Sequence, residues 1–471
     1  MPDFYSEPFL CLAGLTHKSA LIAWGAFYFR VKDSGDSFKL VDDDDLKFIH
    51  PPREDSIGAA SKSYGPARVV VSDLAGNVVA TAANNDDVNH CWVTGLEPDT
   101  EYTYKVFVKG ETVEWADGPR RSWEVGPSGA GLGPKRRTYR NRFRTLPDPT
   151  RPLTAPFTFA VIGDFGVGIK KEKDRGQRQI AEALERAVDQ HDVRLVLTTG
   201  DNVYRRGGLF GLIGGQTGDE DDDWYFAYHE PYRYVINRVP VYPSIGNHDA
   251  DESESRDDRS QVMDNFYIHA RIAGEEAAGR ASLDPGLFYR FRVGANVEFV
   301  CIDSSKEPDE FPKRLFEHPK HKAFLENALP PIGSAPTTWR IPFCHHPPFC
   351  AGPRHHNTDG MDNLVTQFER AGVRLMLSGH EHNFQHSLHD KVHYVLTGGA
   401  GKLREDKPTK FTESHTQSWA SKYHFLLVTI DGKKATVRVL GPLDNTGGLT
   451  DITRQAVGSG DLSTPIVITL D

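Results

Sequence analysis

Val193-Arg194-Leu195-Val196-Leu197-Thr198-Thr199-Gly200-Asp201-Asn202-Val203-Tyr204 is the stretch whose reading decides the fold. Its first six residues form a short apolar run rich in branched side chains, which reads as a buried strand. A glycine follows, letting the backbone turn where a strand stops, and then a carboxylate, a carboxamide and a phenol. Upstream, Ile180, Leu184 and Val188 recur at i, i+4 and i+8, the apolar stripe of a helix, and residues 157–161 form another strand-like run. Strand, helix and strand make a βαβ unit. The alternation returns with strands at 297–302, 340–344, 373–377 and 392–397 and helices near 323–329 and 364–370. The expected fold class is α/β, a layered domain with helices packed on sheets.

Working towards the N-terminus, residues 143–152 contain Pro147, Pro149 and Pro152, which favours an extended linker and predicts a boundary between residues 1–150 and residues 151–471. Residues 1–150 read as β-rich, with strand-like runs at 19–25 and 68–71 and no helical periodicity. Leu96-Glu97-Pro98-Asp99-Thr100-Glu101-Tyr102-Thr103-Tyr104 is a turn leading into an alternating aromatic strand. It resembles the late strands of a fibronectin type III β-sandwich, which implies an all-β front domain with insertions at 31–65 and 111–140. The basic run from Lys135 to Arg144 reads as a solvated loop.

Further polar clusters stand at strand ends beside the first: Gly163-Asp164-Phe165-Gly166, Gly246-Asn247-His248-Asp249, His345-His346-Pro347-Pro348 and Gly379-His380-Glu381-His382. Ligands bind at the carboxyl ends of strands in open α/β sheets, so clusters far apart in sequence can converge on one edge. Carboxylates, imidazoles, a carboxamide and a phenol together exceed the needs of a single tetrahedral zinc. Two metals sharing a carboxylate is the simplest arrangement.

This ordered set resembles the metallophosphoesterase (calcineurin-like) superfamily over about residues 155–440, and Tyr204, three residues after Asp201, narrows the resemblance to the purple acid phosphatase family. The front β-domain is similar to the accessory domain many such phosphatases carry. The resemblance implies a four-layer sandwich of helices on two packed mixed sheets. It implies one metal held by Asp164, Asp201, Tyr204 and His382, and a second held by Asp201, Asn247, His345 and His380. By the same resemblance, His345 is the ligand because it precedes Pro347 by two, leaving His346 to packing. Phenolate and carboxylates suit Fe(III), whereas imidazoles and an amide oxygen suit a divalent Zn, Mn or Fe(II) ion. His248 is expected to face substrate, as is one of His355 and His356, with His356 preferred. The implied reaction is hydrolysis of small phosphoric monoesters by metal-bound hydroxide, releasing inorganic phosphate. A phosphodiesterase or nucleotide hydrolase is the alternative, and a non-catalytic binding module is disfavoured by the intact donor set.

Composition limits the rest. The 471 residues carry 55 Lys and Arg against 65 Asp and Glu, a net charge of −10, which disfavours stable nucleic-acid binding. No apolar run approaches the ~20 residues of a membrane span. The first residues lack the pattern of a secretory signal, so a cytoplasmic location is expected unless a leader has been trimmed. The 5 cysteines are scattered and read as small buried hydrophobes. The acidic runs at 42–45 and 219–223 lack the spacing of a calcium loop, and residues 207–218 lack the ending of a P-loop. Arg205, Arg206 and residues 207–218 are expected to rim the site, and Asp249 and Asp303 to orient histidines.

Overall fold

The computed structural model describes residues 3–31, 38–40, 66–84, 88–108, 112–118, 121–126, 129–135, 138–169, 175–204, 224–250, 259–277, 288–306, 314–333 and 337–470. The expectations for Arg136, Arg137, Arg205, Arg206 and residues 42–45, 207–218 and 219–223 lie outside the described residues.

Phe157–Ile162 and Val193–Thr198 pair in parallel, joined by helix Arg175–Gln190, as the βαβ reading requires. They lie in a six-stranded sheet ordered Val241–Tyr242, Val193–Thr198, Phe157–Ile162, Phe425–Asp431, Lys434–Leu440, Ile466–Thr469. A nine-stranded sheet has the parallel strands Val297–Cys301, Trp339–Phe343, Leu375–Ser378 and Val392–Thr397 near its middle. Strand side chains alternate between faces, and that alternation sorts the layers. Phe159, Val161, Leu195 and Leu197 share one core with Phe299, Ile341, Phe343, Leu375 and Leu377 of the other sheet. The alternate residues Ala160 and Val196 pack with Ile180, Ala183, Leu184 and Ala187 of Arg175–Gln190. On the far side, Val300 and Met376 meet Leu325 of helix Pro319–Ala328 and Leu364 and Phe368 of helix Asp362–Arg370. The order is helix, sheet, sheet, helix.

The front of the chain is antiparallel β. Asp3–Leu15 and Ser19–Val31 form a long hairpin, and His90–Thr94 pairs with its second strand. A second sheet orders Arg142–Arg144, Glu101–Val108, Ala67–Ser72 and Val78–Asn84. Among the described residues no strand pairing joins these sheets to those beyond Phe157, and the proline stretch lies between Arg142–Arg144 and Phe157–Ile162. The interior is nonetheless continuous: Leu12, Trp24, Val69 and Tyr104 belong to the same apolar core as Phe159 and Phe299. Polar links cross as well. Tyr104 Oη donates to the Asn237 carbonyl at 2.6 Å, Tyr242 Oη to the Leu15 carbonyl at 3.0 Å, and Arg233 pairs with Glu7 at 2.7 Å. Among the described residues no helix is long and apolar enough to cross a membrane.

Candidate metal centre

The carboxyl ends of the parallel strands in both sheets point to one place. Phe157–Ile162 delivers Asp164, Val193–Thr198 delivers Asp201 and Tyr204, and the short strand Val241–Tyr242 leads through residues 243–246 to Asn247. Trp339–Phe343 leads to His345, and Leu375–Ser378 to His380 and His382. Asp164, Asp201 and His380 have φ of 55°, 51° and 74°, the left-handed region that is costly for side-chain-bearing residues and recurs at functional sites. Two glycines permit the close approach. A Cβ on Gly246 would stand 2.2 Å from Asp201 Oδ1, and one on Gly379 would stand 2.6 Å from Asp164 Oδ2.

The seven expected ligand side chains gather into two adjoining groups. In the first, Tyr204 Oη lies 3.2 Å from Asp164 Oδ1 and 3.4 Å from His382 Nε2, and His382 Nε2 lies 3.5 Å from Asp164 Oδ1. Asp164, Asp201 and His382 each offer a donor atom within 4.8 Å of the others. In the second, His345 Nε2 is 2.9 Å from Asn247 Oδ1, 3.1 Å from His380 Nδ1 and 3.4 Å from Asp201 Oδ1. Asp201 therefore touches both groups.

The tautomer of His345 follows from its other nitrogen. Nδ1 stands 2.8 Å from the Thr199 carbonyl, which only accepts, so Nδ1 carries the proton and Nε2 presents a lone pair. That lone pair faces the oxygens of Asn247 and Asp201, an arrangement of acceptor against acceptor that a cation between them relieves. The charges agree. Burial, reinforced by the Asp201 charge, drives the Asp164 carboxyl well above its ordinary pKa. Burial acts on Asp201 in the same sense, but attraction to the His345 and His248 rings in their protonated forms, with the bond from the His248 backbone N–H, outweighs it and holds Asp201 below the usual range. Burial pushes His380 well below its ordinary value, helped by His345, and His382 down to about 2, helped by Arg404 and Lys402. His380 and His382 are thus held neutral, as ligands must be. This buried set of hard oxygen donors and neutral nitrogens fits a pair of metal ions.

The remaining expected residues fall at varied places. His248 donates its backbone N–H to Asp201 Oδ1 at 3.0 Å, and its half-buried ring lies 4.5 Å from the ring of Tyr204. His355, half-buried, lies 3.8 Å ring to ring from His380, whereas His356 is exposed, so the geometry favours His355 over the His356 preferred from sequence. His346 packs 4.5 Å from His380 and bonds Ser304 Oγ through Nδ1 at 3.0 Å, but it also brings a nitrogen within 4.8 Å of donors on His345 and His380. Asp249 orients no histidine in these contacts. It accepts from the backbone N–H groups of Asn202, Val203 and Gly246, tying two ligand loops together, and burial with the Asp201 charge pushes it up to about 8. Asp303 likewise turns to Ser305 and Arg259. Cys344 and Cys350 are buried free thiols pushed up to about 12 by burial.

Two supporting residues escaped the sequence reading. Glu381 is fully buried and accepts from the backbone N–H groups of Arg354, His355 and His382 while pairing with Arg404 at 2.8 Å. It pins the His355 loop to the His380–His382 turn, and its place between those two histidines was the available signal. Lys402, whose backbone N–H donates to the Asp164 carbonyl at 3.1 Å, sets its Nζ 3.3 Å from the centroid of the Tyr204 ring.

Comparisons with known proteins agree with this geometry. The calcineurin-like phosphoesterase family matches residues 157–384. Purple acid phosphatase 3 of Arabidopsis thaliana is 24% identical over 267 residues, spanning 54% of this chain and 66% of that protein. Tartrate-resistant acid phosphatase type 5 of Oryctolagus cuniculus is 23% identical over 314 residues, spanning 60% of this chain and 87% of that protein. Among solved structures, PhoD superposes with a TM-score of 0.61 at 14% identity, covering 100% of this chain and 94% of PhoD. The purple acid phosphatase PPD1 from yellow lupin gives 0.55 at 13% identity, covering 100% of this chain and 75% of its own. Both likenesses concern the fold. The strand-end donors from Asp164 to His382 all lie within residues 157–384, the stretch that is similar to the calcineurin-like phosphoesterase family, and purple acid phosphatases are among the proteins the chain resembles.

Proposed function

We propose that the protein hydrolyses phosphoric monoesters, with Asp164, Asp201, Tyr204 and His382 holding Fe(III) and Asp201, Asn247, His345 and His380 holding a divalent zinc, manganese or iron ion. At the coarser level, the phosphoesterase domain, its homologues and the two donor groups support a metal-dependent phosphoester hydrolase. The observation that carries the finer reading is the meeting of the two donor groups at Asp201, with the Tyr204 phenol on one side only. Paired ions, when bound, polarise the phosphoryl group and make water acidic enough to supply a nucleophile near neutral pH.

The protein's own groups do the rest. Thr199 fixes the His345 tautomer, Asp249 and Glu381 hold the ligand loops, and burial keeps His380 and His382 neutral with nitrogen lone pairs to offer. His248 stands beside Asp201 and Tyr204 and is not one of the proposed ligands, which suits it to give a proton to the departing oxygen. His355 flanks His380 and is the second substrate-facing candidate in this reading. Residues 1–150 are read as an accessory fibronectin type III-like unit that provides no ligand, and residues 151–471 as the catalytic domain.

Metal analysis with visible spectroscopy tests the assignment. Purified full-length protein is expected to hold two metals per chain including iron, and to show a phenolate-to-Fe(III) absorption that Tyr204→Phe removes while the fold persists. Iron-loaded protein without that absorption, or absorption surviving the substitution, overturns the role of Tyr204. Faster turnover of diesters than of monoesters overturns the substrate class.

A further inference from the structure

Lys402 belongs to none of the donor clusters, yet it stands over one of them. The chain leaves strand Val392–Thr397 through Gly398, Gly399, Ala400 and Gly401, and the backbone N–H of Lys402 bonds the Asp164 carbonyl. Arg404, two residues on, donates its backbone N–H to the His382 carbonyl at 2.8 Å. The segment is thus laid along the two loops that carry Asp164 and His382, and a Cβ on Gly401 would stand 2.3 Å from the Phe165 carbonyl oxygen, so it lies close. The two long cations have different partners. Arg404 is committed to Glu381 at 2.8 Å. Among the described residues Lys402 makes no ion pair, its Nζ rests 3.3 Å from the Tyr204 ring centroid, and it is only partly buried. A ring face attracts an ammonium weakly compared with an ionised oxygen, so this cation is held in place with its strongest bonding capacity unspent.

Resting on the phosphoesterase reading above, we propose that Lys402 is a substrate-binding residue whose ammonium bonds a phosphoryl oxygen and favours dianionic monoesters over monoanionic diesters. Asp164, Asp201 and Tyr204 are taken up by metal in that reading, so an entering phosphate is the anion left for Lys402. A monoester phosphate has its second pKa near 6 and carries close to two charges at neutral pH. A diester carries one, and it replaces an oxygen that an ammonium can bond with an ester oxygen that accepts poorly. One protein-borne cation added to the metals therefore discriminates by substrate charge.

The test uses the metal-loaded full chain, with inorganic phosphate as the binding probe and nitrophenyl phosphate and bis(nitrophenyl) phosphate as substrates. Lys402→Met is expected to keep its metal content and to weaken inorganic phosphate binding by roughly 10- to 100-fold, the worth of one hydrogen bond to a charged group. The specificity constant for the monoester should fall by a similar factor while that for the diester changes by no more than about threefold, and Lys402→Arg should restore most of the phosphate affinity. Unchanged phosphate affinity overturns the proposal, as does equal loss on both esters. Loss of metal from Lys402→Met overturns it too, by making Lys402 a support for the Tyr204 and Asp164 loops. A wild-type protein that binds phosphate through Lys402 but cleaves neither ester refutes the phosphoesterase reading and leaves the binding assignment standing.

Discussion

His248 reaches the centre through two different parts of itself. Its backbone N–H holds Asp201 at 3.0 Å, and its ring lies against Tyr204 at 4.5 Å. Replacing the side chain leaves the backbone bond, so His248→Ala should keep both metals. An alkoxide is a poor leaving group, and a positioned acid contributes about 10²- to 10⁴-fold, whereas a nitrophenolate departs unaided. His248→Ala is therefore expected to slow alkyl phosphates by a factor in that range and nitrophenyl phosphate far less, and Asn247→Ala to impair both. Steady-state rates on the two ester types with metal analysis check this. Equal slowing would make His248 a phosphate-binding group, and metal loss would make it a ligand. At this scale residue types were legible but choices between neighbours were not: His355 and His356 differ in which side of an irregular loop they leave, and that side is set by Glu381, whose bonds to the N–H groups of Arg354 and His355 span more than 25 residues.

The elements that carry the ligands were legible in proportion to how fully they are buried. Phe157–Ile162 and Val193–Thr198 are buried at every residue, so they stand out as mostly apolar runs, interrupted by Thr158 and Arg194, that lead into a glycine and a carboxylate. Val241–Tyr242 has two residues and owes its pairing to its neighbour, so no local pattern marks it. The same holds for the π-helical turn Tyr225–His229, whose aromatic residues announce a core without announcing a geometry. The loops that follow the strands depend on close approach, which gives a prediction. Alanine at position 246 would put its Cβ 2.2 Å from Asp201 Oδ1 and 2.3 Å from Asp201 N, and a backbone atom cannot swing aside as a side chain does. Gly246→Ala should lower stability by about 1–3 kcal/mol, the usual range for overpacking, and should reduce bound metal from two towards one because the Asn247 loop is displaced from Asp201. Gly333→Ala, where a Cβ meets nothing within 4 Å, is the control and should change neither. Thermal melts with metal analysis decide it, and a Gly246→Ala protein with full metal content would show that the loop yields without moving Asn247.

Across the whole molecule, the proline stretch at 147–152 marks a break in strand pairing while the core runs through it, because apolar side chains from both parts face one interior. Sequence reveals the break and conceals the contact, since packing between distant segments leaves no periodic trace. The contact has a titratable group at its heart. His229 is buried with its ring 4.4 Å from Phe9 and 5.0 Å from Phe27 of the front hairpin, beside Tyr228, and its Nε2 lies 3.2 Å from Asn265 Oδ1. Arg233, paired with Glu7 and Glu230, belongs to the same segment, so the interface already holds a guanidinium. Burial pushes His229 down from 6.5 to about 4, only partly opposed by the Asn265 bond. The sign follows from proton uptake: between pH 6.5 and about 4 the unfolded chain takes a proton that the folded chain refuses, so folding stability falls as pH drops through that window and is unaffected by this group above it. One pKa unit is worth about 1.4 kcal/mol, so His229 should withdraw up to about 3 kcal/mol across the window. His424, also pushed down to about 4 by burial, should add a similar slope. Urea unfolding at several pH values between 7.5 and 4 checks both, and His229→Gln should be less stable at neutral pH yet show a shallower acid slope, by about 1.4 kcal/mol per unit. An unchanged slope in His229→Gln would mean that the front hairpin does not keep this imidazole from protons, and with it would go the sealed interface between the two parts of the chain.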